Sequence, residues 1–368
     1  MTESSHIIIG GGIIGLSVGW QLARSGARVE IYESSSAIRS GAGWNAAGML
    51  APSAEAGYEE EALFNLCKES LSLYDNFLFE LSQDVRHAEV PKLDRCGSML
   101  VALTSDDVQV LHRQYEFRKS IGETDMELLR AAEAREREPL LSPKVKQALY
   151  LPNDAQINNR KLLEALHEAF INCGGVLHEH QNVDVIKDNF ITAKSITLSA
   201  GALISKISDI DSLGIRPVKG QVVTLKTDPS VKLQHLIRSP RVYLAQKDDD
   251  RLLIGASVEE KGTDKRITAG PVMELLHYAW EAVPLVYELE ITELQSGFRP
   301  ATRDHCPVIG AAGHDNIFYA AGHYRNGILL APITAYALRD EILLGKKRNE
   351  LSMFSPQRFM KNTIHEVV

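Results

Sequence analysis

At 368 residues the chain is longer than one domain usually runs, so two units sharing one ligand are the natural expectation. With 44% hydrophobic residues, 24% charged residues and a net charge of −8, it has an ordinary globular composition and lacks the basic bias of a nucleic-acid partner. No apolar run reaches the roughly 20 residues of a membrane span; Arg339, Asp340 and Glu341 break the best candidate, so a cytoplasmic protein is expected.

Ile7 to Leu16 follows Glu3 rather than a basic segment and is interrupted by three glycines. It therefore reads as a buried strand and turn, not a signal peptide. Gly10, Gly12 and Gly15 lead into a helix carrying Trp20, Leu22 and Ala23, and Val29 to Tyr32 forms a second strand. In such a βαβ unit the first glycine permits the tight turn, the second lets a pyrophosphate approach the backbone, and the third lets helix pack on strand. Glu33 ends the second strand 18 residues beyond Gly15. That is where a dinucleotide fold places the acid that accepts from ribose hydroxyls.

Ser40 to Pro52 consists mostly of small residues, against which a flat aromatic ring can lie. A mobile loop is the alternative reading, but Met49, Leu50 and Ala51 are very apolar for one. Glu60 to Leu81 has the spacing of a helix or a broken pair, Ser98 to Leu103 alternates like a strand, and Asp106 to Glu138 reads as surface helices ended by Pro139 and Pro143. Asn158 is placed to cap a helix over Arg160 to Ile171, which Gly174-Gly175 stops. Strands are expected at Val176 to His180 and Ile196 to Ala200.

Val218 to Lys226, Val242 to Gln246 and Arg251 to Val258 read as antiparallel strands, the last two joined by a solvated Asp248-Asp249-Asp250 tip. A helix follows around Val272 to Trp280. Gly297 and Pro300 suggest a formed turn around Arg299. Ile317 to Ala321 is a strand running through a polar glycine turn into a helix that starts near Gly327. Both glycine junctions would aim unpaired N–H groups and a helix dipole at an anion. Cys67, Cys96, Cys173 and Cys306 are scattered singly, so no metal site and no redox dithiol is expected.

Four segments together resemble the D-amino-acid oxidase group of flavoproteins: the glycine turn with Glu33, Ala46 to Pro52, Gly297-Phe298-Arg299-Pro300, and Ala321 to Pro332. The last is most similar to the glycine oxidase branch, which serves thiamin thiazole biosynthesis. The resemblance implies an α/β fold in which a Rossmann-like FAD-binding domain of the glutathione-reductase type carries an antiparallel-sheet α+β substrate domain. The first would comprise residues 1–85, 140–210 and 295–368, and the second residues 86–139 and 211–294.

Non-covalent FAD is implied, touching Ile13, Ile14, Glu33, Ser34, Ala42, Gly43, Ala47, Gly48, Met49, Val183, and His323, Tyr324, Arg325, Asn326, Gly327, Ile328 and Leu329. Arg299 and Arg325 would bind the carboxylate of a small amino acid, with Tyr243 beside it and dioxygen as acceptor. A guanidinium pairs with a carboxylate through two parallel hydrogen bonds, which fixes orientation as well as position. Two departures from the family pattern, Ala42-Gly43-Trp44-Asn45 where hydroxyl residues are usual and Arg241 near Tyr243, leave a D-amino-acid dehydrogenase or a sarcosine-type oxidase as the alternative. The oligomeric state is open, a homo-oligomer included.

Overall fold

His6–Ile9 is buried at every residue, as a strand flanked on both sides and covered on both faces must be. In the computed structural model, which describes residues 5–36, 41–58, 60–183, 193–207, 213–313 and 316–360, it pairs in parallel with Val29–Tyr32 on one side and Ser195–Leu198 on the other. Among the described residues this sheet has six strands in the order Val308–Ala311, Ile317–Ala321, Ser195–Leu198, His6–Ile9, Val29–Tyr32 and Val176–His178. Its one antiparallel pair joins the first two.

Helices Ile13–Arg24, Asn159–Asn172 and Ala331–Leu344 contribute to the core of this unit. Trp20 is fully buried there, its ring edge-on to Phe77 at 5.1 Å. Asn158 caps the second helix by accepting the Lys161 N–H, as its position in the sequence predicts.

The second sheet has eight strands in the order Glu290–Ala301, Arg216–Lys226, Arg251–Gly255, Tyr243–Gln246, Leu236–Arg238, Ser98–Ala102, Gln147–Leu151 and Glu127–Arg130. Three expectations change here. Glu127–Arg130 is an edge strand within the segment read as helices, and its terminal charges are what an edge tolerates. Gln147–Leu151, placed by the boundary at 140 with the nucleotide-binding segments, hydrogen-bonds to Ser98–Ala102 in the larger sheet. The turn expected around Arg299 is a strand: Gly297 faces Gly220 and Arg299 faces Val218 across an antiparallel ladder. Pro300 is accepted because that strand is the sheet's other edge.

Among the described residues no helix is long and apolar enough to cross a membrane, and no cluster of side chains could hold a metal.

Candidate active site

The carboxyl ends of the parallel strands and one face of the eight-stranded sheet enclose a cavity of about 1240 Å³. This exceeds the roughly 300–1,000 Å³ of a drug-sized pocket and suits a dinucleotide with a small substrate. Ile9, Tyr32, Ser199 and Ala321 mark the strand ends, where open α/β sheets bind ligands.

At one end lies the N-terminal glycine turn. Gly10 has φ +107°, and a Cβ there would meet the Ser199 carbonyl oxygen at 2.5 Å. Gly12 faces open space, leaving its amide and those of Ile13 and Ile14 uncapped at the cavity. Gly15 does not line the cavity; its Cα sits so close to the Gly10 carbonyl that a Cβ would approach it to 1.9 Å. The Glu33 carboxylate accepts the Gly11 N–H at 2.8 Å and the Ser35 hydroxyl at 2.8 Å, so it braces the turn as well as facing the cavity with Ser34. Val183 lines the same region.

The small-residue segment lies alongside. Ala42, Gly43, Ala47, Gly48 and Met49 all line the cavity. Gly48 has φ +66° and packs against the Ile157 carbonyl, where a Cβ would sit at 2.2 Å. Buried Asn159 donates to the Gly43 and Trp44 carbonyls at 2.7 and 3.1 Å, and Asn45 donates to Ser296 O at 3.2 Å. These amides pin the loop where the family's hydroxyl residues are missing. Trp44 does not line the cavity; the Arg160 guanidinium lies over its ring at 4.7 Å.

The C-terminal junction closes the other side. His323 to Leu329 line the cavity. The regular helix begins at Ala331, four residues later than expected, because Gly327 to Leu330 form a turn in which Leu330 N–H already bonds to Asn326 O at 2.8 Å. Ser70 and Tyr74 hydroxyls donate to the carbonyls of Leu329 and Ile328. The N–H groups of Gly327, Ile328 and Leu329 have no acceptor among the described residues. His323 is buried, contacts Thr334 Oγ1 at 3.1 Å, and is pushed by burial down to about 3, so it is neutral. Tyr324 stacks on His305 with centroids 4.6 Å apart.

The sheet face supplies the cations. The Arg299 guanidinium lies flat over Gly220, where a Cβ would meet its atoms at 2.7 to 2.9 Å, and Nη1 donates to Ser257 O at 3.0 Å. Tyr243 lies over Gly255 in the same way, its hydroxyl 2.2 Å from where a Cβ would be. Val222 is the cross-strand partner of Gly255, so Gly220 and Gly255 are diagonal neighbours, roughly 7–8 Å apart. The two side chains therefore converge on one spot. Burial raises the Tyr243 phenol above its ordinary range and keeps it a hydrogen-bond donor.

Arg325 lines the cavity but is paired with acids of the chain itself. Its Nε meets Glu55 Oε2 at 2.8 Å and its Nη2 lies 3.7 Å from Glu60, so its charge is already matched. Arg299 forms no ion pair among the described residues. Arg241 also lines the cavity, with its Nη1 3.0 Å from the Tyr278 hydroxyl.

Residues 5–341 match the family model described as FAD dependent oxidoreductase. The chain belongs to this family. It is 32% identical over 366 residues to a glycine oxidase of Geobacillus kaustophilus (strain HTA426), covering 95% of this chain and 96% of that one. The bifunctional protein ThiO/ThiG of Synechocystis is 32% identical over 375 residues, with 98% of this chain matching 55% of that longer protein. A crystal structure of glycine oxidase from Geobacillus kaustophilus shares the fold with a TM-score of 0.88 at 33% identity, over 96% of this chain and 98% of that one. The chain is thus an FAD-dependent oxidoreductase of glycine oxidase type, acting on amino donors.

The cavity fits that cofactor: uncapped amides face it from both glycine junctions, and small residues leave one wall clear of side chains. None of the four cysteines lines it, in keeping with non-covalent FAD. The sequence reading missed Gly220 and Gly255, although a lone glycine inside a strand pattern signals close approach. It also missed Glu55 and Arg238, which carry no local signal.

Proposed function

We propose that the protein oxidises glycine, with dioxygen and water, to glyoxylate, ammonia and hydrogen peroxide, or delivers the imine to thiazole assembly. The observation that carries this reading is Arg299, a guanidinium without a carboxylate partner among the described residues, laid beside the Tyr243 hydroxyl on the cavity wall. Arg299 binds the substrate carboxylate through its two outer nitrogens, and Tyr243 donates a hydrogen bond to the same group. Residues Gly10 to Ile14 hold the pyrophosphate of FAD, Glu33 the ribose, and the amides of Gly327 to Leu329 the ring's polar edge.

The chemistry that a bound FAD would supply is acceptance of the substrate's α-hydrogen as hydride. What the chain itself supplies is placement, and none of its residues needs to move a proton on the carbon. The pocket between Arg299 and Tyr243 favours a small amine such as glycine, sarcosine or D-alanine. Trp44 and Arg241, which motivated a dehydrogenase reading, are engaged with Arg160 and Tyr278. An anaerobic titration with glycine, sarcosine and D-alanine, followed by air, tests the proposal: glycine should bleach the visible absorption and then release peroxide. Bleaching without peroxide would assign a dehydrogenase, and no bleaching by glycine would remove the substrate.

A further inference from the structure

Beside Tyr243 the cavity wall holds a second pair of guanidinium groups, occupied by the protein itself. Arg238 is the cross-strand partner of Tyr243 on the neighbouring strand, so the two side chains share the cavity face. Glu55 Oε1 pairs with Arg238, and Glu55 Oε2 pairs with Arg325 Nε at 2.8 Å. Arg238 has no other ion-pair partner among the described residues, whereas Arg325 keeps Glu60. The carboxylate of Glu55 thus stands where a ligand carboxylate would meet two guanidinium groups.

Glu55 is held in place from below. It ends the short helix Pro52–Glu55, whose Ser53 and Ala54 N–H groups donate to the buried Asp154 carboxylate at 2.9 and 3.0 Å. Buried Arg118 donates through Nε to the Ser53 carbonyl at 2.7 Å, and the Ser53 hydroxyl bonds to Glu123. These bonds fix the backbone of the turn that carries Glu55, and its side chain is held in the cavity by the ion pairs with Arg238 and Arg325.

We propose that Glu55 is a specificity-determining residue: it occupies a latent second carboxylate subsite made by Arg238 and Arg325, and so restricts the cavity to ligands with one carboxylate. A dicarboxylate such as an acidic amino acid would bring its second negative charge against Glu55, which repels it and already holds the cations it needs. Removing that one charge uncovers Arg238 for a ligand that spans from Arg299 past Tyr243. The proposal rests on the reading of Arg299 as carboxylate receptor.

The test is calorimetric binding of acetate and malonate to the FAD-loaded protein, with no turnover required. The wild type should bind malonate no more tightly than acetate. In Glu55→Gln the ratio of malonate to acetate affinity should rise at least tenfold, and Glu55→Gln with Arg238→Gln should lose that gain. A wild type that prefers malonate tenfold, or a folded Glu55→Gln with an unchanged ratio, would overturn the inference. The wild-type comparison decides even where the variant does not fold. If neither anion binds the wild type, the carboxylate reading of Arg299 fails as well. If acetate binds and the ratio stays fixed, only the subsite fails.

Discussion

Two glycines decide where the substrate-facing side chains lie. Gly220 is the clearer case, because the atoms a Cβ would strike are the movable end of Arg299 and not backbone. Gly220→Ala should therefore displace the guanidinium at little cost to the fold. The expected outcome is a glycine KM raised about tenfold, or about 1.4 kcal/mol, with the melting temperature nearly unchanged; steady-state kinetics beside a thermal scan checks both. Lys247 shows the opposite situation, a buried charge outside the cavity. Its Nζ donates to Gln156 Oε1 at 2.8 Å, and burial lowers it from 10.5 to about 7. Between those values the unfolded chain binds a proton that the folded chain does not, so wild-type stability rises with pH across the window and is flat below it. Relative to Lys247→Met, the wild type should gain up to about 1.4 kcal/mol per pH unit from pH 7 to 10, measured by urea unfolding. An equal slope in both proteins would show that Lys247 keeps its ordinary titration. Neither position was singled out in the sequence, because what matters at each is a neighbour from another strand.

Elements with strong local signals were legible. The glycine turn and the capped helix Asn159–Asn172 follow from spacing and capping, whereas the spacing over Glu60 to Leu81 admits either one helix or a broken pair, and the structure puts the break at Leu73 between Glu61–Ser72 and Tyr74–Asp84. Elements stabilised by partners were not. Glu127–Arg130 is too short and too charged to declare itself, and Glu290–Ala301 hides a strand behind Gly297 and Pro300 until Arg216–Lys226 supplies its ladder. The acidic tip Asp248–Asp250 is solvated as read, with Asp248 and Asp249 exposed, but it is also tethered: Asn158 donates to Asp248 at 2.7 Å and to Asp249 at 3.0 Å, and Lys161 meets Asp248 at 2.9 Å. At this scale Gly15→Ala is the decisive substitution. The added methyl would strike the Gly10 carbonyl oxygen at 1.9 Å, a backbone atom that cannot rotate away, as well as Ser199 Oγ at 2.7 Å, so helix and turn must separate and the uncapped amides lose their aim. The purified variant should be colourless where the wild type is yellow; retained flavin at full stoichiometry would contradict this account of the turn.

Across the whole molecule, the cavity that fits FAD is lined by segments far apart in sequence, from Gly10 to Leu329, so FAD should bind the folded state alone. Added FAD at about 100 times its Kd should then stabilise the apoprotein by about 2.7 kcal/mol, a rise in Tm of roughly 3–4 °C for a chain of this length. A differential scan with and without FAD checks it, and an unshifted transition would mean that FAD does not bind the folded chain in preference to the unfolded one. The sequence by itself determined the nucleotide unit and the family, since glycines at fixed spacing, a strand before them and an acid after them are consequences of local backbone geometry. Only the tertiary structure decided which arginine is free. Arg299 and Arg325 look alike in the chain, and Glu55 separates them: it lies 270 positions from Arg325 and 183 from Arg238, and ion pairs depend on distance in space, which no spacing in the sequence records.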